Sequence, residues 1–167
     1  VLAENGIWHF EQSYLPSMLR TNSYDTICQE HLEYYSMISV QYILDKAGLR
    51  IIDVELNDIN GGSFAVTAAK KQSPHRANQA VIDWMLEEEI RMGLNTEKPY
   101  REFAERVAAH KTSLLSLLDQ LKSDGKKIVG YGASTKGNVL LQYCGIGTQY
   151  LDCIAEVNEQ KFGSYTP

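Results

Sequence analysis

Between Lys127 and Val157 the chain spells a strand, a glycine turn, a helix and a second strand in quick succession. Lys127–Tyr131 is short and apolar at its centre, Gly132–Lys136 carries the turn, Gly137–Cys144 has helical composition, and Leu151–Val157 is again strand-like. A strand–helix–strand crossover of this kind is right-handed and sets its two strands parallel. This stretch therefore points to an α/β fold and to the opening of a Rossmann-like C-terminal lobe.

The preceding residues supply other elements. Ile7–Ser13 alternates weakly and reads as a strand. Leu15–Thr21 reads as a short helix, with Pro16 in the first turn, where a missing N–H does little harm. From about Glu33 to Lys46, Tyr35, Ile38, Tyr42 and Ile43 follow helical spacing, and Gly48 is placed to end that helix. Arg50–Leu56 and Ser63–Ala69 are rich in β-branched residues and flank Asn60-Gly61-Gly62, the clearest hairpin signal in the chain. Two helices follow. Gln79–Met92 sets Val81, Trp84, Met85 and Met92 on one side; Tyr100–Lys122 carries Phe103, Val107, Leu114, Leu117, Leu118 and Leu121; and Glu97-Lys98-Pro99 separates the two. A boundary falls between about Lys71 and Asn78, dividing residues 1–72 from residues 73–167.

Composition narrows the function classes. The net charge of −5 and the absence of a basic run beyond Lys70-Lys71 and Lys126-Lys127 argue against a nucleic-acid partner, while a small anionic ligand needs only one or two such residues. No apolar run approaches the roughly 20 residues that span a bilayer, and no signal peptide is visible. Cys28, Cys144 and Cys153 fit neither a zinc cluster nor a disulfide framework, so a cytoplasmic setting and no metal are expected. The chain starts at Val1 without Met and stops at Pro167 soon after a strand, as a piece cut from a longer protein would.

Two stretches carry chemistry. Tyr24-Asp25-Thr26-Ile27-Cys28-Gln29-Glu30-His31-Leu32-Glu33-Tyr34-Tyr35 packs many reactive side chains together. A histidine can act as general base near neutral pH, an adjacent carboxylate can orient it, and a tyrosine can donate to a developing oxyanion. These groups suit proton abstraction next to a carbonyl; they also suit a polar helix start with tyrosines packed beneath. The second stretch is Gly130-x-Gly132, followed by Ser134, Thr135 and Lys136 at the start of a helix. Such a turn can hold phosphate oxygens on backbone N–H groups, or it can be a tight turn needing glycine only for packing. The third glycine is Gly137, whereas the dinucleotide pattern wants it at Thr135; Glu156, after the next strand, stands where a ribose-binding acid would. His9, His75 and His110 are isolated, Glu87-Glu88-Glu89 reads as a solvated helix face, and Trp8 and Trp84 read as core.

Phe10-Glu11-Gln12-Ser13-Tyr14-Leu15-Pro16, then the stretch Tyr24–Tyr35, then Gly130-Tyr131-Gly132-Ala133-Ser134-Thr135-Lys136-Gly137-Asn138 together resemble the C-terminal region of bacterial S-adenosylmethionine-dependent C-methyltransferases acting on nucleotide-linked keto-deoxysugars. The resemblance spans essentially the whole chain. It implies a partial methyltransferase-core remnant, then a β-hairpin and long helices, then the Rossmann-like lobe. It implies that His31 removes the proton beside the keto group, that Glu30 orients His31 or helps stabilise the enolate, and that Tyr34 is a weak substitute for an oxyanion donor. Tyrosine often stands in that family at the position of Cys28, and histidine at that of Gln29. It further implies that the C-terminal lobe takes the nucleotide-sugar, with Ser134, Lys136, Gly132 and Asn138 at the diphosphate. The glycine turn and acidic residue that bind the methyl donor would lie outside these residues, so this piece alone is expected neither to bind S-adenosylmethionine appreciably nor to methylate. Two rivals remain: an NAD(P)-binding oxidoreductase module, argued from Gly130, Gly132 and Glu156, and a non-catalytic nucleotide-sugar-binding domain.

Overall fold

A computed structural model of the chain describes residues 2–166, with Asn60 placed by its backbone only. The fold is mixed α/β, and it divides into two compact units. The first contains Val1–Ser23 and Glu33–Phe103; the second contains Tyr24–Leu32 and Ala104–Pro167. The chain thus leaves the first unit for the stretch Tyr24–Leu32 and then returns to it.

The first unit is built on a three-stranded antiparallel sheet. Its strands are β1 (Ile7–Ser13), β2 (Leu49–Asn57) and β3 (Ser63–Lys70), in the order β1-β3-β2. β3 lies in the middle and is the most deeply buried, which suits its run of Phe64, Ala65, Val66, Ala68 and Ala69. The expected hairpin is β2–β3, with a register irregularity between Ile51 and Asp53. Its turn passes through Gly62 at φ 125, and a Cβ there would stand 2.5 Å from the Ser17 side chain. Only glycine tolerates both the dihedral and the approach.

Helices α1 (Leu15–Thr21), α2 (Met37–Lys46) and α3 (Gln79–Arg91) complete this unit. The core joins Met37, Val40 and Leu44 of α2 and Ile82 and Met85 of α3 to Ile51, Val54, Phe64, Val66 and Ala68 of the sheet. The face of α2 differs from the expected one: Tyr42 and Ile43 are exposed, whereas Met37, Val40 and Leu44 point inward. α2 is apolar on much of its circumference, so spacing alone admits two stripes, and the sheet selects one. Trp84 and Trp8 are about half exposed rather than core residues.

Glu89 overturns the solvated reading of the triple-glutamate run. It is fully buried on the inward stripe of α3, at 0% exposure, four and seven residues after Met85 and Ile82 in helical register. Its carboxylate accepts from Met37 N at 2.6 Å and Ile38 N at 2.9 Å. Ser36, the N-cap, accepts from Ser39 N, and Val40 N donates to Ser36 O. The four N–H groups that open α2 are therefore all satisfied. An anion at this position is also favoured by the helix dipole.

The second unit centres on α4 (Lys98–Ser123), of which residues 104–123 belong here, with α5 (Thr135–Cys144) and a two-stranded parallel sheet of β4 (Gly130–Tyr131) and β5 (Ile154–Ala155). Parallel pairing across α5 is what the crossover predicts, though both strands are shorter than the apolar runs around them. Lys98 and Pro99 open α4 instead of separating it from α3, since proline is well tolerated in a first turn. Leu118, Cys144 and Ile146 form the small core, flanked by Leu114, Leu140, Leu141 and Leu151. No helix among the described residues is long and apolar enough to cross a membrane.

Candidate active site

The reactive stretch starts in a buried residue and emerges into solvent. Tyr24 opens a 3₁₀ turn over Tyr24–Thr26 and is 6% exposed. Its hydroxyl lies 3.0 Å from His110 Nδ1 and 3.6 Å from Cys144 Sγ. Its ring packs against those of His110 and Tyr143, with centroids 5.6 and 5.3 Å away. Burial first, then the hydrogen bond to Cys144, pushes the Tyr24 phenol well above its ordinary range, so it stays protonated.

Past Tyr24 the backbone coils through short turns. Ile27 N donates to Tyr24 O at 3.0 Å, Cys28 N to Thr26 O at 3.1 Å, and His31 N to Cys28 O at 3.0 Å. Glu30 and His31 are exposed, and among the described residues neither side chain has a hydrogen-bond or ion-pair partner. Adjacency in sequence thus leaves both groups open to an incoming molecule. Tyr34 is half-buried and belongs to the first unit. There the stretch is fixed again. Tyr35 bridges to Tyr14, its carbonyl accepts from Leu15 N at 2.8 Å, and Ser36 then caps α2. The Tyr35 hydroxyl donates to Glu33, and this bond raises its pKa.

The glycine turn is more closed than its sequence implies. Gly132, at φ 89, donates its N–H to Ala155 O at 2.8 Å. The next amide, Ala133 N, donates to Glu156 Oε2 at 2.7 Å. Glu156 Oε1 accepts from Val157 N at 2.8 Å and Asn158 N at 3.0 Å. Lys161 completes the clamp, 3.7 Å from the Glu156 carboxylate and 2.7 Å from Ala133 O. Glu156 is thus the turn's own anion, with both oxygens already engaged.

The amide bonds from Asn158, Ala133 and Val157 hold the Glu156 carboxyl down to about 2, against an ordinary value of 4.5. A pKa lowered on folding stabilises above the unfolded value and ceases to do so as the pH falls through the folded one. The clamp's contribution to stability should therefore be full above pH 4.5 and fade between there and about 2, where the folded carboxylate itself takes up its proton. The amide resonances of Ala133, Val157 and Asn158 should move together with a midpoint near 2; separate midpoints, or a shared one near 4.5, would dismiss the clamp.

What remains for a ligand at this turn lies one step further on. Ser134 caps α5 by accepting from Gly137 N at 3.0 Å, which leaves its own O–H to donate. Thr135 N and Lys136 N have no partner among the described residues. Lys136 and Asn138 are half-buried, and Asn138 Oδ1 is buried without a hydrogen bond. Gly132 contributes conformation, because its N–H is already committed.

Residues 58–167 match the C-methyltransferase C-terminal domain. The chain belongs to that family. Over all 167 residues it is 38% identical to the C-methyltransferase NovU of Streptomyces niveus, and it spans 40% of that protein's length. The family match begins at residue 58, past the reactive stretch, and takes in the glycine turn; the NovU similarity includes both.

The contact that fixes the buried end of the reactive stretch has no signature in the sequence. His110 was set aside as isolated, although it meets Tyr24 across 86 positions of chain. Tyr24 itself was only one tyrosine among ten. Neither carries a spacing signal, because their meeting depends on how α4 and α5 fold back on the 3₁₀ turn. No group of metal-ligating side chains occurs among the described residues.

Proposed function

We propose that this chain supplies the base and the sugar-nucleotide contacts of a C-methyltransferase that alkylates the carbon beside the keto group of a nucleotide-linked keto-deoxysugar. The observation that carries the reading is the Glu30-His31 pair: exposed, without partners among the described residues, and set on a stretch anchored at Tyr24. Structural histidines and carboxylates usually have partners. Among the described residues this pair instead has none.

His31 takes the proton from the carbon next to the ketone, and the bonding pair moves into the enolate. Glu30, one residue away, orients the imidazole or offsets its positive charge. Ser134 O–H, the N–H groups of Thr135 and Lys136, and the Lys136 ammonium offer donors for a diphosphate at the start of α5, where the helix dipole also favours an anion. Asn138 stands on the same turn of the helix.

S-adenosylmethionine would supply an electrophilic methyl group to the enolate carbon. The residues here do not fit it. The glycine turn has its first two N–H groups bonded, and Glu156 is engaged by backbone rather than offered to a ribose. The donor is assigned to the rest of the complete enzyme, and this piece alone is expected to be inactive. We place the reaction in a non-membrane, cytoplasmic setting. The same occupied Glu156 weakens the NAD(P) oxidoreductase alternative.

Calorimetric titration tests the binding half of this reading. Thymidine diphosphate should bind the 167-residue chain, and Lys136→Ala should weaken it at least about 10-fold, the loss of one charge-assisted contact. S-adenosylmethionine and NAD should give no heat. Micromolar binding of either would move the assignment, the first toward a self-contained donor site and the second toward the oxidoreductase.

A further inference from the structure

We propose that Tyr24 is the positioning residue for the Glu30-His31 pair, acting through a hydroxyl held by His110 and Cys144. The inference rests on the reading of His31 as the base. Its ground is a contrast within eight residues of chain. Glu30 and His31 are exposed, and their side chains have no partner among the described residues, so their own contacts do not set their position. Tyr24 is 6% exposed and has its hydroxyl 3.0 Å from His110 Nδ1 and 3.6 Å from Cys144 Sγ. These partners come from α4 and from the end of α5, two separate elements of the same unit.

The backbone links the fixed end to the free end. Tyr24 O holds Ile27 N, Thr26 O holds Cys28 N, and Cys28 O holds His31 N, so the first two short turns overlap and the third starts where the second is fastened. A rotation at Tyr24 is passed along this series to His31. The ring alone would fill the space between His110 and Tyr143; the hydroxyl adds direction, because hydrogen bonds to two elements define the ring's rotation as packing does not. Cys144 is buried at the C-terminal end of α5, and Lys111 Nζ secures the same end by donating to Tyr143 O at 2.7 Å. The helix that opens on Ser134 and Lys136 therefore ends on the anchor of the His31 stretch. The two halves of the proposed site share one rigid element.

Tyr24→Phe removes the hydroxyl and keeps the ring. In the 167-residue chain, hydrogen exchange at the amides of Ile27, Cys28 and His31 should quicken at least about 10-fold, while Leu140 and Leu141 in α5 keep their rates. His110→Ala, at an exposed position that folding tolerates, should quicken the same three amides. In the complete enzyme, both variants should lower kcat by about 10-fold to 10²-fold, with KM for the nucleotide-sugar within about twofold, because a displaced base costs rate more than binding. The double variant should add little to either single one. Unchanged exchange at the three amides, or faster exchange throughout the unit, overturns the proposal; so does an unchanged kcat. A wild-type enzyme that turns over no nucleotide-linked keto-sugar would sink the functional reading instead, and exchange would still judge the anchor.

Discussion

Replacing His31 with alanine in the complete enzyme is expected to lower kcat at least about 10²-fold, the usual scale for losing a general base. The substitution should leave folding intact, because His31 is exposed and its side chain has no partner among the described residues. KM for the nucleotide-sugar should change little, since the diphosphate contacts are assigned to Ser134 and Lys136 on another element. The effect can be isolated from methyl transfer. A base that forms an enolate also exchanges the proton beside the ketone with solvent deuterium when no methyl donor is present. Wild-type enzyme should catalyse that exchange and His31→Ala should not, while Glu30→Gln should slow it to an intermediate degree. Intact turnover in His31→Ala would favour the non-catalytic binding domain. Intact methylation with no deuterium exchange in wild type would mean that the proton leaves only in concert with methylation.

The second large effect concerns stability. Glu89→Ala should destabilise the chain by about 3 kcal/mol, because it strands one buried and one half-buried backbone N–H group at roughly 1–3 kcal/mol each. The groups are those of Met37 and Ile38, which open α2. The loss extends to Tyr14, which is 8% exposed and hydrogen-bonds to Glu89; burial and then the Glu89 charge push its phenol far above the ordinary range. Glu89→Gln keeps one accepting oxygen and should cost about half as much. Urea unfolding of the three proteins measures this directly. A change below about 0.5 kcal/mol in Glu89→Ala, the range of an unremarkable surface substitution, would show that water replaces the carboxylate at the helix start. Because α2 begins right after the reactive stretch, the same substitution should loosen Tyr35 and Ser36 first.

Much of the fold was legible beforehand. Ile7–Ser13 and Leu15–Thr21 form the strand and helix expected of them, and the Asn60-Gly61-Gly62 signal lies between β2 and β3. These elements depend on local terms: β-branched content, a proline in a first turn, glycine at a positive φ. The parallel pairing of β4 and β5 followed from the helical crossover that joins them. The proposed site rests on motifs, because Glu30, His31, Ser134 and Lys136 lie in short runs of distinctive composition.

Other features had no local signature. Spacing could not choose between Tyr35, Ile38, Tyr42 and Ile43 on one side of α2 and Met37, Val40 and Leu44 on the other. The sheet made that choice by offering Phe64 and Val66 to the second set. Glu89 looked like its neighbours Glu87 and Glu88 until two N–H groups from another helix came within 2.9 Å of its carboxylate. Glu156 occupied a ribose-binding position in the sequence and an internal hydrogen-bonding position in the fold. Residue types and their spacing specify which elements form and which reactive groups exist, because both are set by neighbours a few positions away. Which face is buried, which charge is sheltered and which amides remain open to a ligand depend on partners tens of residues distant, and those meet only when the chain packs.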